Sequence, residues 1–156
     1  MHDAVHIVEV SPRDGLQNEA QFIATADKLA LIERLMASGL RTIEATAFVS
    51  PKWVPQMRDA AELYPLLPKH GACRFPVLVP NIQGYERARA CGVTDIAVFA
   101  AASEAFSRKN INASIAESLD RFKPVFERAR HDGVNVRGYV STVLGCPYQG
   151  KVEVGA

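Results

Sequence analysis

The sequence is poor in several things that would have fixed its class at once. Its 156 residues include three cysteines, Cys73, Cys91 and Cys146. The number is odd, the spacing is wide, and there is no Cys-x-x-Cys pair to ligate a metal. A disulfide scaffold is excluded on that usage, and a reducing cytosol fits it best. The formal net charge is +1 at pH 7, which argues against nucleic acid or an acidic membrane surface, since both want a basic face. No apolar run approaches the roughly 20 residues that span a bilayer. Met1-His2-Asp3-Ala4 leads almost directly into an apolar run, with no cationic leader, signal segment or arginine-rich presequence. Histidines never pair as His-x-His: His2, His6, His70 and His131 stand apart, His6 reading as a strand residue and His131 as a helix-end cation.

What is present is a globular composition, 48% hydrophobic and 22% charged, in a chain long enough for one domain with a core. The organisation is strand then helix, repeated. Short apolar runs predict strands at 5–10, 41–46, 75–79, 94–99 and 134–141. Between the first two, Leu29, Ile32, Leu35 and Met36 recur at helical spacing and Gly39 closes the helix. Further helices are predicted at 57–66, 82–91 and 114–131, the last capped by Ser114 with Glu117 three residues on, and kinked or split by Pro124. Five strands alternating with four helices imply a parallel sheet. The glycine fingerprint of a dinucleotide fold is absent after the first strand. An open doubly wound sheet and part of an eight-stranded barrel both remain. A closed barrel needs eight strands and roughly 250 residues, so the barrel reading predicts a fragment of a longer protein, or two copies that complete each other.

One motif stands out. Ser11-Pro12-Arg13-Asp14-Gly15-Leu16-Gln17-Asn18-Glu19 follows the first strand. A fixed cation beside a carboxylate at a strand end suits chemistry in which a carbonyl is held and a developing negative charge is stabilised. Arg-Asp-Gly alone reads equally as an ordinary polar turn.

The longer string resembles the 3-hydroxy-3-methylglutaryl-CoA lyase family. The resemblance returns in Ile43-Glu44-Ala45-Thr46-Ala47-Phe48-Val49-Ser50-Pro51-Lys52-Trp53-Val54-Pro55-Gln56-Met57, in Ala101-Ala102-Ser103-Glu104 through Lys109-Asn110-Ile111-Asn112, and in Arg137-Gly138-Tyr139-Val140-Ser141 with Gly145-Cys146-Pro147-Tyr148. It implies an α/β fold, the amino-terminal half of a (β/α)8 TIM barrel. Residues 1–156 would form a partial catalytic domain of the pyruvate carboxyltransferase-like type, interrupted after strand five. It also implies a metal-dependent retro-Claisen cleavage of 3-hydroxy-3-methylglutaryl-CoA to acetyl-CoA and acetoacetate, a step used in leucine breakdown and ketone-body formation. A related acyl-CoA lyase or condensing enzyme, or a non-catalytic half-barrel, are the other readings.

By that resemblance Asp14 is a ligand of Mg2+ or Mn2+, and Arg13 holds the thioester carbonyl and steadies the enolate. Glu44 belongs to the same polar network, orienting a water or the substrate hydroxyl; its bland alternative is a strand-end acid paired with a base. Gln17 and Asn18 offer neutral donors near the acyl group. Lys109 and Asn110, with Arg108, offer contacts to coenzyme A phosphates, or else form a solvated basic turn. Ala47 stands where the family pattern has serine. Trp53, between prolines, is expected to pack a loop. The family's later His-x-His ligands and its Gly-Gly-Cys-Pro-Tyr loop have no counterpart here. Gly145-Cys146-Pro147-Tyr148 matches a different segment, which leaves Cys146 in a strand-end loop without the catalytic role. The isolated chain is therefore expected to be inactive, the full-length protein a homodimer in the cytoplasm. Glu9 and Arg137, charges inside strand patterns, are each expected to find an opposite charge within the barrel.

Overall fold

Alternation of apolar runs with amphipathic segments produces the sheet the pattern calls for, though less regularly. The structure, a computed structural model, describes residues 5–68, 71–153 and 155. The expectations for residues 1–4, including His2, for His70 and for positions 154 and 156 lie outside them. One parallel sheet runs in sequence order through β1 (Thr46–Ala47), β2 (Val77–Leu78), β3 (Asp95–Ala101) and β4 (Asn135–Ser141). A parallel bridge from Glu9 to Ile43 sets the first segment beside β1. Five extended segments thus stand side by side in the order in which they occur, as a βα repeat requires.

Two expected strands are reduced. Only Glu9 of the 5–10 run pairs, while Val5 and Ile7 are 86% and 66% exposed. The 41–46 run survives as bridges at Thr42 and Ile43 and then as β1. The cause is a bulge. Thr42 and Thr46 are four residues apart, but their partners Arg74 and Val77 are three apart. An extra residue re-aims the side chains beyond it. Ile43 and Ala45 pack outward against Ile32 and Leu63, whereas Ala47 faces inward with Leu78 and Ala97. Ala47 is fully buried there and does not reach a cleft.

Helices α1 (Thr25–Ala37), α2 (Ala60–Leu66), α3 (Ile82–Ala90) and α5 (Ile115–His131) cover the outer face. Gly39, at φ +100°, ends α1 as expected. The 57–66 helix begins instead as a 3-10 turn over Pro55–Met57 before α2. Asn81 caps α3 by accepting from the Gly84 amide, and a Cβ on Gly84 would sit 2.7 Å from the Phe48 carbonyl oxygen. Only glycine lets the helix approach the strand end so closely. Ser114 and Glu117 form the full capping box of α5. That helix is not split at Pro124, one of the two outcomes expected there. Asp120, whose carbonyl loses its helical partner there, is exposed, so water can take the bond.

Two elements escaped the pattern. The loop after β3 forms a helix, α4 (Glu104–Ile111), because the buried Ser103 hydroxyl accepts from the Phe106 amide. Its charged sequence carries no long apolar stripe, so periodicity did not show it. Beyond β4 a small hairpin pairs β5 (Gly145–Cys146) with β6 (Gly150–Lys151).

The outer core joins Val77, Val79, Ile96 and Val98 of the sheet to Tyr85 and Ala88 of α3 and Phe122, Val125 and Ala129 of α5. A buried ion pair ties the Pro55–Asp59 turn to α1: Lys28, 1% exposed, lies 2.6 Å from Asp59 and also donates to the Gln56 carbonyl. The opposite charges expected for Glu9 and Arg137 within a barrel interior do not come from the described residues. Glu9 accepts from the Ser11 amide at 2.7 Å, which lowers its pKa, and Arg137 lies exposed beside the Tyr139 ring. Neither makes an ion pair among the described residues.

Candidate active site

The polar residues of the motif gather at the carboxyl ends of the strands, the end where parallel barrels carry their chemistry. The chain leaves Val10 in a π-helical turn over Ser11–Gly15, in which the Val10 carbonyl accepts from the amides of Arg13 and Asp14. Wide turns of this kind recur at functional sites. The turn carries Arg13 back toward the sheet.

The Arg13 side chain is 12% exposed and held from two sides. Its Nε donates to Glu44 Oε1 at 2.5 Å, and Nη1 donates to Asp14 Oδ1 at 2.6 Å. Glu44 is fully buried, and its other oxygen, Oε2, accepts from the Tyr139 hydroxyl at 2.7 Å. Both Glu44 oxygens are therefore engaged. Glu44 thus pairs with a base, as its bland alternative has it, and by the same bond belongs to the polar network of Arg13. Burial, reinforced by the bond to Glu44, pushes the Tyr139 phenol above its usual range. It stays protonated at neutral pH and remains a donor. Sequence reasoning missed the role of Tyr139. The available signal was its place at the end of the fifth strand, two residues from Arg137 and on the same face.

An open cleft of about 630 Å³ begins at this group, lined by Arg13, Asp14, Gln17, Tyr139, Phe106 and Asn110. A neighbouring cavity of about 700 Å³ shares Phe99, Asn110 and Ile111 with it and reaches Lys109, Arg121 and Trp53. Arg13, Asp14 and Gln17 thus share one cleft. Asn18 does not line it, but donates to the Asp14 carbonyl at 2.8 Å and braces the turn. Asn110 spans both cavities and Lys109 only the second, while Arg108 lies by Glu104 at 3.7 Å. Trp53 is 86% exposed, not packed as a loop anchor. Cys146 is buried and lines neither cavity.

For a divalent cation the described residues offer little by themselves. No three His, Cys, Asp or Glu side chains gather among them. The Asp14 carboxylate is 56% exposed at the cleft with one oxygen against Arg13, and the Glu44 oxygens are both taken. One hard oxygen donor suits Mg2+ or Mn2+ in kind, yet six-fold demand leaves most positions to be supplied from elsewhere.

A sequential parallel sheet, helices on its outer face and a polar site at the strands' carboxyl ends define the amino-terminal part of a parallel α/β barrel of the enzyme class. The chain belongs to the HMGL-like family, which matches residues 4–155. It is 55% identical over 149 residues to the mitochondrial hydroxymethylglutaryl-CoA lyase of Bos taurus, covering 96% of this chain and 46% of that protein. The crystal structure of hydroxymethylglutaryl-CoA lyase from Pseudomonas aeruginosa superposes with a TM-score of 0.92 at 56% identity, over 96% of this chain and 50% of that one. An Acinetobacter baumannii HMG-CoA lyase in complex with coenzyme A and 3-methylmalate matches at TM-score 0.88 and 34% identity, over 95% of this chain and 49% of that one. The chain spans about half the length of the relatives it matches.

Proposed function

We propose that this chain forms the amino-terminal part of the site of a hydroxymethylglutaryl-CoA lyase, cleaving 3-hydroxy-3-methylglutaryl-CoA to acetyl-CoA and acetoacetate. The observation that carries the reading is the Arg13 guanidinium. It is nearly buried at a cleft mouth and fixed in two directions by Asp14 and by a Glu44 that Tyr139 itself holds. A pre-set planar cation supports a thioester carbonyl as it becomes an enolate oxygen, and costs no reorganisation when the carbon–carbon bond breaks. Arg13 is the catalytic residue of this chain. Glu44, out of reach of the cleft, positions Arg13 and keeps its charge aimed. Gln17 and Asn110 face the acyl end; Lys109 serves the anionic groups of coenzyme A.

Asp14 supplies one ligand of a divalent cation in the complete barrel, with the remaining ligands from residues beyond this set. When bound, such a cation polarises the substrate's hydroxyl and carboxylate oxygens. Relatives named cytoplasmic and mitochondrial both match. The unpaired cysteines support a reducing compartment, here the cytosol. The homodimer of the full-length protein and a role in leucine or ketone-body metabolism rest on the family resemblance alone.

A wider acyl group is the second reading. The cleft continues into the neighbouring cavity over Phe99 and Ile111. The P. aeruginosa relative, 56% identical, is named for 3-hydroxy-3-isohexenylglutaryl-CoA as well as the methyl substrate.

The test is a chimera joining this chain to the carboxyl-terminal half of the P. aeruginosa protein, assayed with Mn2+ for acetoacetate. The chimera should be active, and Arg13→Gln should lower kcat by about 10²–10³, the cost of losing one transition-state donor. A folded chimera without acetoacetate, or an active Arg13→Gln variant, overturns the assignment. Comparing kcat/KM for the two acyl groups decides between the readings.

A further inference from the structure

The β5–β6 hairpin reaches back to the start of α4 and meets it at a buried junction. Ser103, fully buried, lies with its hydroxyl 2.8 Å from Gln149 Oε1 and 3.0 Å from Cys146 Sγ, so that its one proton faces both acceptors. The same hydroxyl accepts from the Phe106 amide, and Gln149 Oε1 also accepts from the Ala105 amide at 3.4 Å. Above this, the Tyr148 ring lies 6.2 Å from the Phe106 ring, and Lys109 Nζ sits 4.5 Å over Tyr148. Hairpin and helix are joined along a full turn and a half of α4.

That helix is a wall of the candidate site. Phe106, Asn110 and Ile111 of α4 face the cleft that Arg13 and Asp14 open. Phe106 belongs to both arrangements, touching the hairpin and the cleft. We infer that the hairpin is a positioning element for the site: Gln149 and Cys146, through Ser103, fix where α4 stands against Arg13, and so set how tightly the cleft grips its ligand. Nothing in this role requires Cys146 to touch substrate. The Cys146 thiol is a clasp. Burial raises its pKa, but the Ser103 hydroxyl and the amides of Tyr148, Gln149 and Phe106 outweigh that and lower it. The clasp therefore strengthens as the sulfur gains negative charge.

The inference rests on the acyl-CoA reading of the cleft, and the experiment separates the two. Gln149→Ala removes the acceptor shared by Ser103 and Ala105; Gln149→Glu keeps an oxygen there; Cys146→Ala removes the second acceptor. Amide exchange of the 156-residue chain is followed over residues 104–111, with 115–131 as internal reference, and coenzyme A binding by the chimera is measured by titration calorimetry. Gln149→Ala should speed exchange across α4 about fivefold, the scale of one lost hydrogen bond, while α5 is unchanged. Coenzyme A should bind more weakly by a similar factor. Gln149→Glu should restore most of both. In the active chimera the same loss should appear in KM with kcat nearly intact. Unchanged α4 exchange, or loosened α4 with unchanged affinity, overturns the inference. No binding of coenzyme A by the wild-type chimera overturns the acyl-CoA reading instead, and the exchange data then decide the clasp.

Discussion

The covered face of the sheet and its free edge are in opposite states. On the outer face Val77, Val79, Tyr85, Ala88, Val125 and Ala129 are at most 1% exposed, sealed under α3 and α5. At the free edge and the chain segments around it, Val136, Val140 and Leu144 are 41%, 57% and 91% exposed. The total surface of 9549 Å² is well above the roughly 7,700 Å² that size scaling gives for a compact 17.0 kDa monomer. The covered face resembles a finished protein core, whereas β4 stands at the edge of the described sheet with no neighbour beyond it. The site lies on the inner face, where Ala47, Leu78 and Ala97 are buried and Glu44 is fully so. Arg13, Glu44 and Tyr139 complete their own polar network without help from further strands.

The largest effects should fall where the two states are most unlike. Phe122→Ala in the sealed face should cost about 3–5 kcal/mol in urea unfolding. Glu44→Ala should cost a comparable amount, about 3–5 kcal/mol, because it removes the buried partner of a nearly buried Arg13 and leaves it only the exposed Asp14 carboxylate among the described residues. If it costs no more than an exposed substitution, the network is open to water and does not belong with the buried part of the molecule. Tyr139→Phe removes one hydrogen bond to the same carboxylate and should cost about 1 kcal/mol in the same assay.

A pH measurement sharpens the comparison from the outer side. Asp132 is held below its ordinary 3.8 by the hydrogen bonds from His131 and Tyr85, aided by Arg128. Burial and that bond raise the Tyr85 phenol to about 12. A depressed carboxylate stabilises the fold above its unfolded pKa and loses that contribution as pH falls through its folded value. Stability followed from pH 6 to pH 2 should therefore fall less steeply in Asp132→Asn than in the wild type, and parallel curves would remove Asp132 from the account. Smallest of all, Val140→Ala on the open edge should change stability by less than about 0.5 kcal/mol. A cost near that of Phe122→Ala would mean that something covers the edge in solution.

Particular residues show how far sequence reading reached. The capping box at Ser114 and Glu117, the stop at Gly39 and the order of strands and helices were legible, because each depends on a few neighbouring residues. The bulge between Thr42 and Thr46 was not, since a shift in pairing has no local signature. It is also the reason the second strand looked longer than it is. Helix α4 was hidden by its charge, and its buried cap became visible only once Ser103 was seen under the hairpin.

The sequence alone determined the repeat, its family and the adjacency of Arg13 and Asp14, which are fixed by spacing and short-range chemistry. Tertiary structure alone decided that Glu44 would grip Arg13 from 31 residues away and be gripped in turn by Tyr139 from 95 away. Those distances along the chain are closed by strand register and packing, and a linear pattern carries no measure of either.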